Sequence, residues 1–156
     1  MKKNMLRNGF LAMAMAVGLS GALASCGSSN ESSQQTEKAA TGARAEDVDV
    51  AAFAALIESL DNPILLDVRS DGEWAEGHLP QASYIPFQAP DFADQLAALD
   101  KSRPVLVYCA SGGRSARAMN ILNQSGQTEV YNLLGGIRAW SAAGQPVVNG
   151  EPQPIQ

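Results

Sequence analysis

The chain has 156 residues, a formal charge of −5 from 11 Lys+Arg against 16 Asp+Glu, 46% hydrophobic residues and 17% charged ones. That length suits one compact domain, and the apolar fraction excludes wholesale disorder. An acidic chain with no long basic run is a poor nucleic-acid binder. Its two Cys and one His exclude a Cys/His zinc cluster and a disulfide-rich scaffold, and no metal or cofactor is expected.

The early charges are all basic: Lys2, Lys3 and Arg7. An apolar run over 10–19 follows, short for a bilayer span and flanked like a secretion signal. Leu23-Ala24-Ser25 then precede Cys26. Small residues before a single Cys resemble the lipobox of bacterial lipoproteins. That resemblance implies a signal peptide over 1–25 and acylation of the Cys26 sulfur, by palmitate or a similar chain. The alternatives are an ordinary cleaved signal peptide and a short membrane anchor. Removing 1–25 takes away three basic residues and no acidic one, which leaves 8 basic against 16 acidic residues and a charge of −8. An acidic body is repelled by anionic lipid, so attachment falls to the lipid on Cys26, in the bacterial envelope facing the periplasm or exterior. Residues 26–44 hold that Cys and a stretch rich in Ser, Gln, Glu, Ala and Thr with no large apolar side chain. This reads as a tether with a reach of roughly 23 Å.

From 45 to 148 the pattern alternates. Residues 46–48 suit a short strand. Asp49 can cap a helix with Phe53, Leu56, Ile57 and Leu60 on one face, ended at Asn62-Pro63. The apolar run 64–68 reads as a strand covered on both faces. Ser70 and Glu73 form a capping-box pair for a short helix around Trp74. Residues 82–85 are a weaker strand closed by Pro86. Asp91 can cap a helix with Phe92, Leu96 and Leu99 inward, and 105–108 is another buried strand after Arg103-Pro104. A helix over 115–124 turns Ala118, Ile121 and Leu122 inward and stops near Gly126. A strand over 129–133 and a helix over 137–143 complete the series. The proline-bearing end after Gln145, and 149–156 in particular, reads as a loose tail. Such alternation defines an α/β domain with a largely parallel central sheet and helices on both faces.

Cys109-Ala110-Ser111-Gly112-Gly113-Arg114 lies between a buried strand and a helix. Ligands bind at the carboxyl ends of parallel strands, and a loop entering a helix there turns amide N–H groups inward as an anion cradle. Gly112 and Gly113 permit the tight curvature and any positive φ. Amide donors and the helix dipole would hold Cys109 as thiolate. A thiol of pKa ~8.5 is only about 3% ionised at pH 7, whereas one of ~6.5 is about 75% ionised.

The loop Cys109-x-x-Gly112-x-Arg114-Ser115 resembles that of rhodanese-type sulfurtransferases. Asp67-Val68-Arg69 followed by Glu73, the stretch Gly77-His78-Leu79-Pro80-Gln81-Ala82 before Ile85-Pro86, and Leu134-Gly135-Gly136-Ile137 before Trp140 resemble further family motifs, in the family's order. The resemblance spans about 46–145. It implies a single rhodanese-like domain and a thiosulfate-type sulfurtransferase with a Cys109 persulfide. Residues 110–115 would bind the persulfide, and a small-molecule donor and a thiol or cyanide acceptor would be the partners of an expected monomer.

Two departures stand out. Gln81 replaces the usual turn Gly, and Ala110 and Ser111 are neutral where some thiosulfate-using relatives carry basic residues. Related phosphatases and arsenate reductases place one residue more between Cys and Arg, so the four residues here favour sulfur transfer over phosphatase or arsenate reductase chemistry. A non-catalytic persulfide carrier is the other alternative. Arg114 either binds a donor anion or braces the loop against Glu73. Asp67 is expected to support the loop or pair with a base, and Arg69 and Glu73 are spaced to pair with each other. The family's matching His is structural, so His78 is not expected in catalysis. Arg117 reads as a solvated helix residue, and Trp74, Tyr108 and Trp140 as packing.

Overall fold

The computed structural model describes residues 44–155. The signal over 1–25, Cys26 and all of the tether but Arg44 lie outside the described residues. The elements are β1 (Arg44–Val48), α1 (Val50–Ser59), β2 (Ile64–Asp67), α2 (Asp71–Ala75), β3 (Ser83–Tyr84), α3 (Phe92–Ala97), β4 (Val105–Tyr108), α4 (Gly113–Gln124), β5 (Glu129–Leu133) and α5 (Gly136–Ala142). One five-stranded sheet runs in the order β1-β5-β4-β2-β3. Every adjacent pair is parallel, so the sheet is wholly rather than largely parallel.

Side-chain alternation sorts the apolar residues onto two faces. Ile64, Leu66, Val105, Val107, Cys109 and Val130 face Phe92 and Leu96 of α3 and Ala118 and Leu122 of α4. Leu65, Leu106, Tyr108, Tyr131 and Leu133 face Phe53 of α1 and Trp140 of α5. The central strands are buried along their length on both faces, which explains their continuous apolar sequences. Burying a side chain of this size stabilises the fold by about 1.5–3 kcal/mol.

The local signals are explicit. The Asp49 carboxylate accepts from the Ala52 amide at 2.9 Å. Ser70 and Glu73 form the reciprocal capping box. Gly126 has φ +92° just past α4. Asp91 departs from expectation, because its carboxylate accepts from the Gln95 side chain instead of capping a backbone amide. Gln81 holds φ +63°, so the turn does require the conformation that Gly adopts without strain.

The segment after Gln145 is not loose. His78 and Val148 form an antiparallel bridge, Gln153 N donates to the Ala82 carbonyl at 2.9 Å, and the Gly150 carbonyl accepts from the Trp74 indole at 3.2 Å. Pro152 and Pro154 (which lack N–H groups) leave Gln153 free to make that bond. Among the described residues no helix is long and apolar enough to cross a membrane.

Candidate active site

Cys109 follows the last residue of β4, and Gly113 opens α4. Between them the chain must turn within three residues. Gly112 does this at φ +95°, where a Cβ would meet the Leu133 carbonyl at 3.2 Å and the Gly135 amide at 3.3 Å. Gly113 needs no such freedom: its φ is ordinary and a Cβ there meets nothing within 4 Å. Of the two glycines expected to serve the turn, only Gly112 has the special conformation.

The Cys109 side chain is 1% exposed. Its Sγ accepts from the Gly112 amide at 3.2 Å and from the Ser115 hydroxyl at 3.4 Å. Burial pushes the thiol up. The Ser115 hydroxyl and the amides of Ser115, Ser111 and Gly112 outweigh it, so the thiol titrates below its ordinary value. The twelve-residue α4 points its positive end at the sulfur.

The other face of the loop is pinned by α5. Ile137 N donates to the Cys109 carbonyl at 2.9 Å, and Arg138 N to the Ala110 carbonyl at 3.3 Å. A trans peptide points its N–H opposite its C=O, so the bond to the Ala110 carbonyl aims the Ser111 amide away from α5 and towards the sulfur. Close approach makes this possible. A Cβ on Gly136 would lie 2.3 Å from the Cys109 carbonyl oxygen and 2.7 Å from the Ser111 nitrogen. The sequence motif containing Gly136 was recognisable, but its contact with the loop was not.

Arg114 braces the loop. Its Nη1 and Nη2 reach both Glu73 oxygens, at 2.7 and 2.6 Å. That bidentate bond from Arg114 holds the Glu73 carboxyl down at about 2, against partial burial, with the Ser70 amide and hydroxyl assisting. Arg114 is raised in turn, first by Glu73 and to a lesser degree by Cys109, so its positive charge also faces the sulfur.

Asp67 and Arg69 stand apart from the loop. Arg69 pairs with Asp67 (Nη2 to Oδ2 2.7 Å) and not with Glu73, and it donates to the Gly77 carbonyl at 2.7 Å. Arg69 precedes the Ser70 cap, so the i,i+4 rule for helix faces does not apply to it. Its guanidinium lies over the Tyr108 ring at 5.8 Å. The Tyr108 hydroxyl oxygen accepts from the Leu79 amide at 3.1 Å. His78 stacks on Trp74 with ring centroids 3.7 Å apart, and its ring nitrogens lie 2.9 and 3.3 Å from the carbonyls of Leu79 and Gly150. It serves the C-terminal segment, not Cys109. Arg117 is exposed on α4, and Trp140 is buried with its indole N–H on the Pro146 carbonyl. Asn132, which sequence reading passed over, is 1% exposed beneath the loop and donates to the Gly112 carbonyl at 3.4 Å. Among the described residues no cluster of His, Cys, Asp and Glu is placed to hold a metal.

A parallel α/β sheet with a buried, hydrogen-bonded thiol at the head of a helix defines a class of proteins that handle sulfur or oxyanions on cysteine. Residues 49–143 match the rhodanese-like domain, and the chain belongs to that family. It is 33% identical over 105 residues to a sulfurtransferase of Allochromatium vinosum, covering 67% of this chain and 96% of that protein. It is 35% identical over 91 residues to the chloroplastic thiosulfate sulfurtransferase 16 of Arabidopsis thaliana, covering 52% and 76%. The rhodanese-related protein of Thermoplasma volcanium has the same fold at 30% identity and a TM-score of 0.59, covering 67% of this chain and 99% of that one.

Proposed function

We propose that the chain moves a sulfane sulfur from thiosulfate or a similar donor to cyanide or a thiol through a persulfide on Cys109. The observation that carries this reading is the Cys109 sulfur, buried beneath Gly112 and Ser115 donors with its thiol lowered. The Cys109 thiolate attacks the sulfane sulfur and a new S–S bond forms. The bond to the donor breaks, and sulfite leaves with its electron pair when thiosulfate is the donor. The acceptor then attacks the terminal sulfur, and Cys109 departs as thiolate. Amides already aimed at the sulfur stabilise each anion without reorganising.

The Arg114–Glu73 pair favours sulfur over phosphate. A tetrahedral oxyanion needs a cation, and the only one in this loop is already bidentate to Glu73. For the same reason thiosulfate, a dianion, serves as an assay donor, and a persulfide of lower charge is expected to give the higher kcat/KM. The deciding experiment is intact mass after thiosulfate treatment. The chain should gain one sulfur atom and lose it to cyanide, and Cys109→Ser should do neither while remaining folded. Transfer undiminished in Cys109→Ser would overturn the reading. A stable sulfur adduct without turnover would point to a carrier serving a partner protein.

The address at the start of the chain supports attachment to the bacterial envelope through a lipid on Cys26. In cells the protein should incorporate labelled palmitate and partition into detergent. Cys26→Ala should abolish both.

A further inference from the structure

We propose that Asn132 is a positioning residue: by hydrogen-bonding the Gly112 carbonyl it releases the Ser115 hydroxyl proton to the Cys109 sulfur. The proposal rests on Cys109 acting as a thiolate. The Ser115 hydroxyl has one proton and two acceptors within reach, the Gly112 carbonyl at 3.1 Å and the Cys109 Sγ at 3.4 Å. The two compete for it: 3.1 Å is a long O–H···O contact, and 3.4 Å is an ordinary one for the larger sulfur. That carbonyl has two other donors, the Ala116 amide at 3.0 Å and the Asn132 Nδ2 at 3.4 Å. With both in place the carbonyl is satisfied, and the hydroxyl can turn to the sulfur.

The orientation of the Asn132 amide is fixed by its neighbours. Nδ2 lies 2.7 Å from the Asp47 Oδ1 and faces the Gly112 carbonyl as well. Both partners only accept, so both select the NH2 group. The consequence is an orphan: the Asn132 Oδ1 is buried with no partner. A buried polar atom left unpaired is costly and calls for an explanation, which the two acceptors of the Nδ2 group supply. A Leu or Val here would suit the strand better, and the sites flanking Asn132 on β5 are Tyr131 and Leu133.

The charged groups facing this cluster are Arg114 of α4 with its partner Glu73 of α2, and Asp47 of β1 behind the amide. None of them donates to the Gly112 carbonyl. The test reads the ionisation of Cys109 itself and does not require sulfur transfer. Full-length wild type, Asn132→Val, Ser115→Ala and the double variant are alkylated with iodoacetamide across pH. The rate is followed on the Cys109 peptide by mass spectrometry, which separates it from Cys26. Asn132→Val should move the midpoint up by about half a unit, with the high-pH plateau rate unchanged. Ser115→Ala should move it at least as far, and the double variant no further than Ser115→Ala alone. Should Asn132→Val fail to fold, Asp47→Ala on the exposed edge strand loosens the same amide. It should give a smaller upward shift that vanishes in the Ser115→Ala background. An unchanged midpoint in a folded Asn132→Val or Asp47→Ala protein overturns the proposal. So does a shift that persists in full without the Ser115 hydroxyl.

Discussion

Arg114 and Glu73 are each partly exposed, with side-chain accessibilities of 24% and 30%. A single ion pair at such a place contributes little, but both arms of this one are bonded, which puts it near 1 kcal/mol. Glu73 is lowered from 4.5 to about 2. A depressed carboxylate contributes stability above its unfolded value and loses it as the pH falls through the folded one. Glu73→Gln should therefore lower the urea midpoint at pH 6 by the equivalent of about 1 kcal/mol, and the gap should close between pH 4.5 and 2. A gap constant down to pH 2 would assign the effect to packing. The pair was open from sequence because a cation separated from its acid by three intervening elements can be placed only by the fold. Arg69 shows the complementary lesson: the i,i+4 spacing to Glu73 was visible, but the helix begins after Arg69, and the shorter path to Asp67 wins.

Strands and helices were legible where one physical cause dominated. The runs over 64–67 and 105–108 are apolar because both faces of a central parallel strand are covered. Asp49 and the Ser70–Glu73 box mark helix starts by satisfying free amides. The loop chemistry was legible from Cys109, Gly112 and Arg114. What holds the loop was not, because it comes from elements distant in the chain: Asn132 on β5, and Gly136 with the amides of Ile137 and Arg138 on α5. The glycines test this division of labour. Gly136→Ala combines a left-handed φ of +58° with a 2.3 Å clash against the Cys109 carbonyl, and should cost about 2 kcal/mol or more and slow alkylation of Cys109. Gly113→Ala meets open space at a helical position and should be neutral or stabilising by up to about 1 kcal/mol. Equal losses in thermal melts of the two variants would refute the distinction.

On the scale of the molecule, the C-terminal segment closes the fold on the side away from α3 and α4. Val148, Gly150 and Gln153 attach to His78, Trp74 and Ala82. Each bond contributes about 1 kcal/mol at most, so deleting residues 148–156 should lower stability by about 2 kcal/mol. The pH profile of Cys109 should not change, since none of these residues touches the loop. A shift in that profile would mean that α2, which carries both Trp74 and Glu73, transmits the loss to Arg114.

The position of β1 has a consequence for time. The first strand of the domain to leave the ribosome pairs only with the last, and Asp47 meets Asn132 across 85 positions. No local partner rewards β1 as it emerges, and closing so long a loop early is slow. The sheet can be completed only after β5 has been synthesised, so β1 stays unpaired until almost the whole domain has emerged.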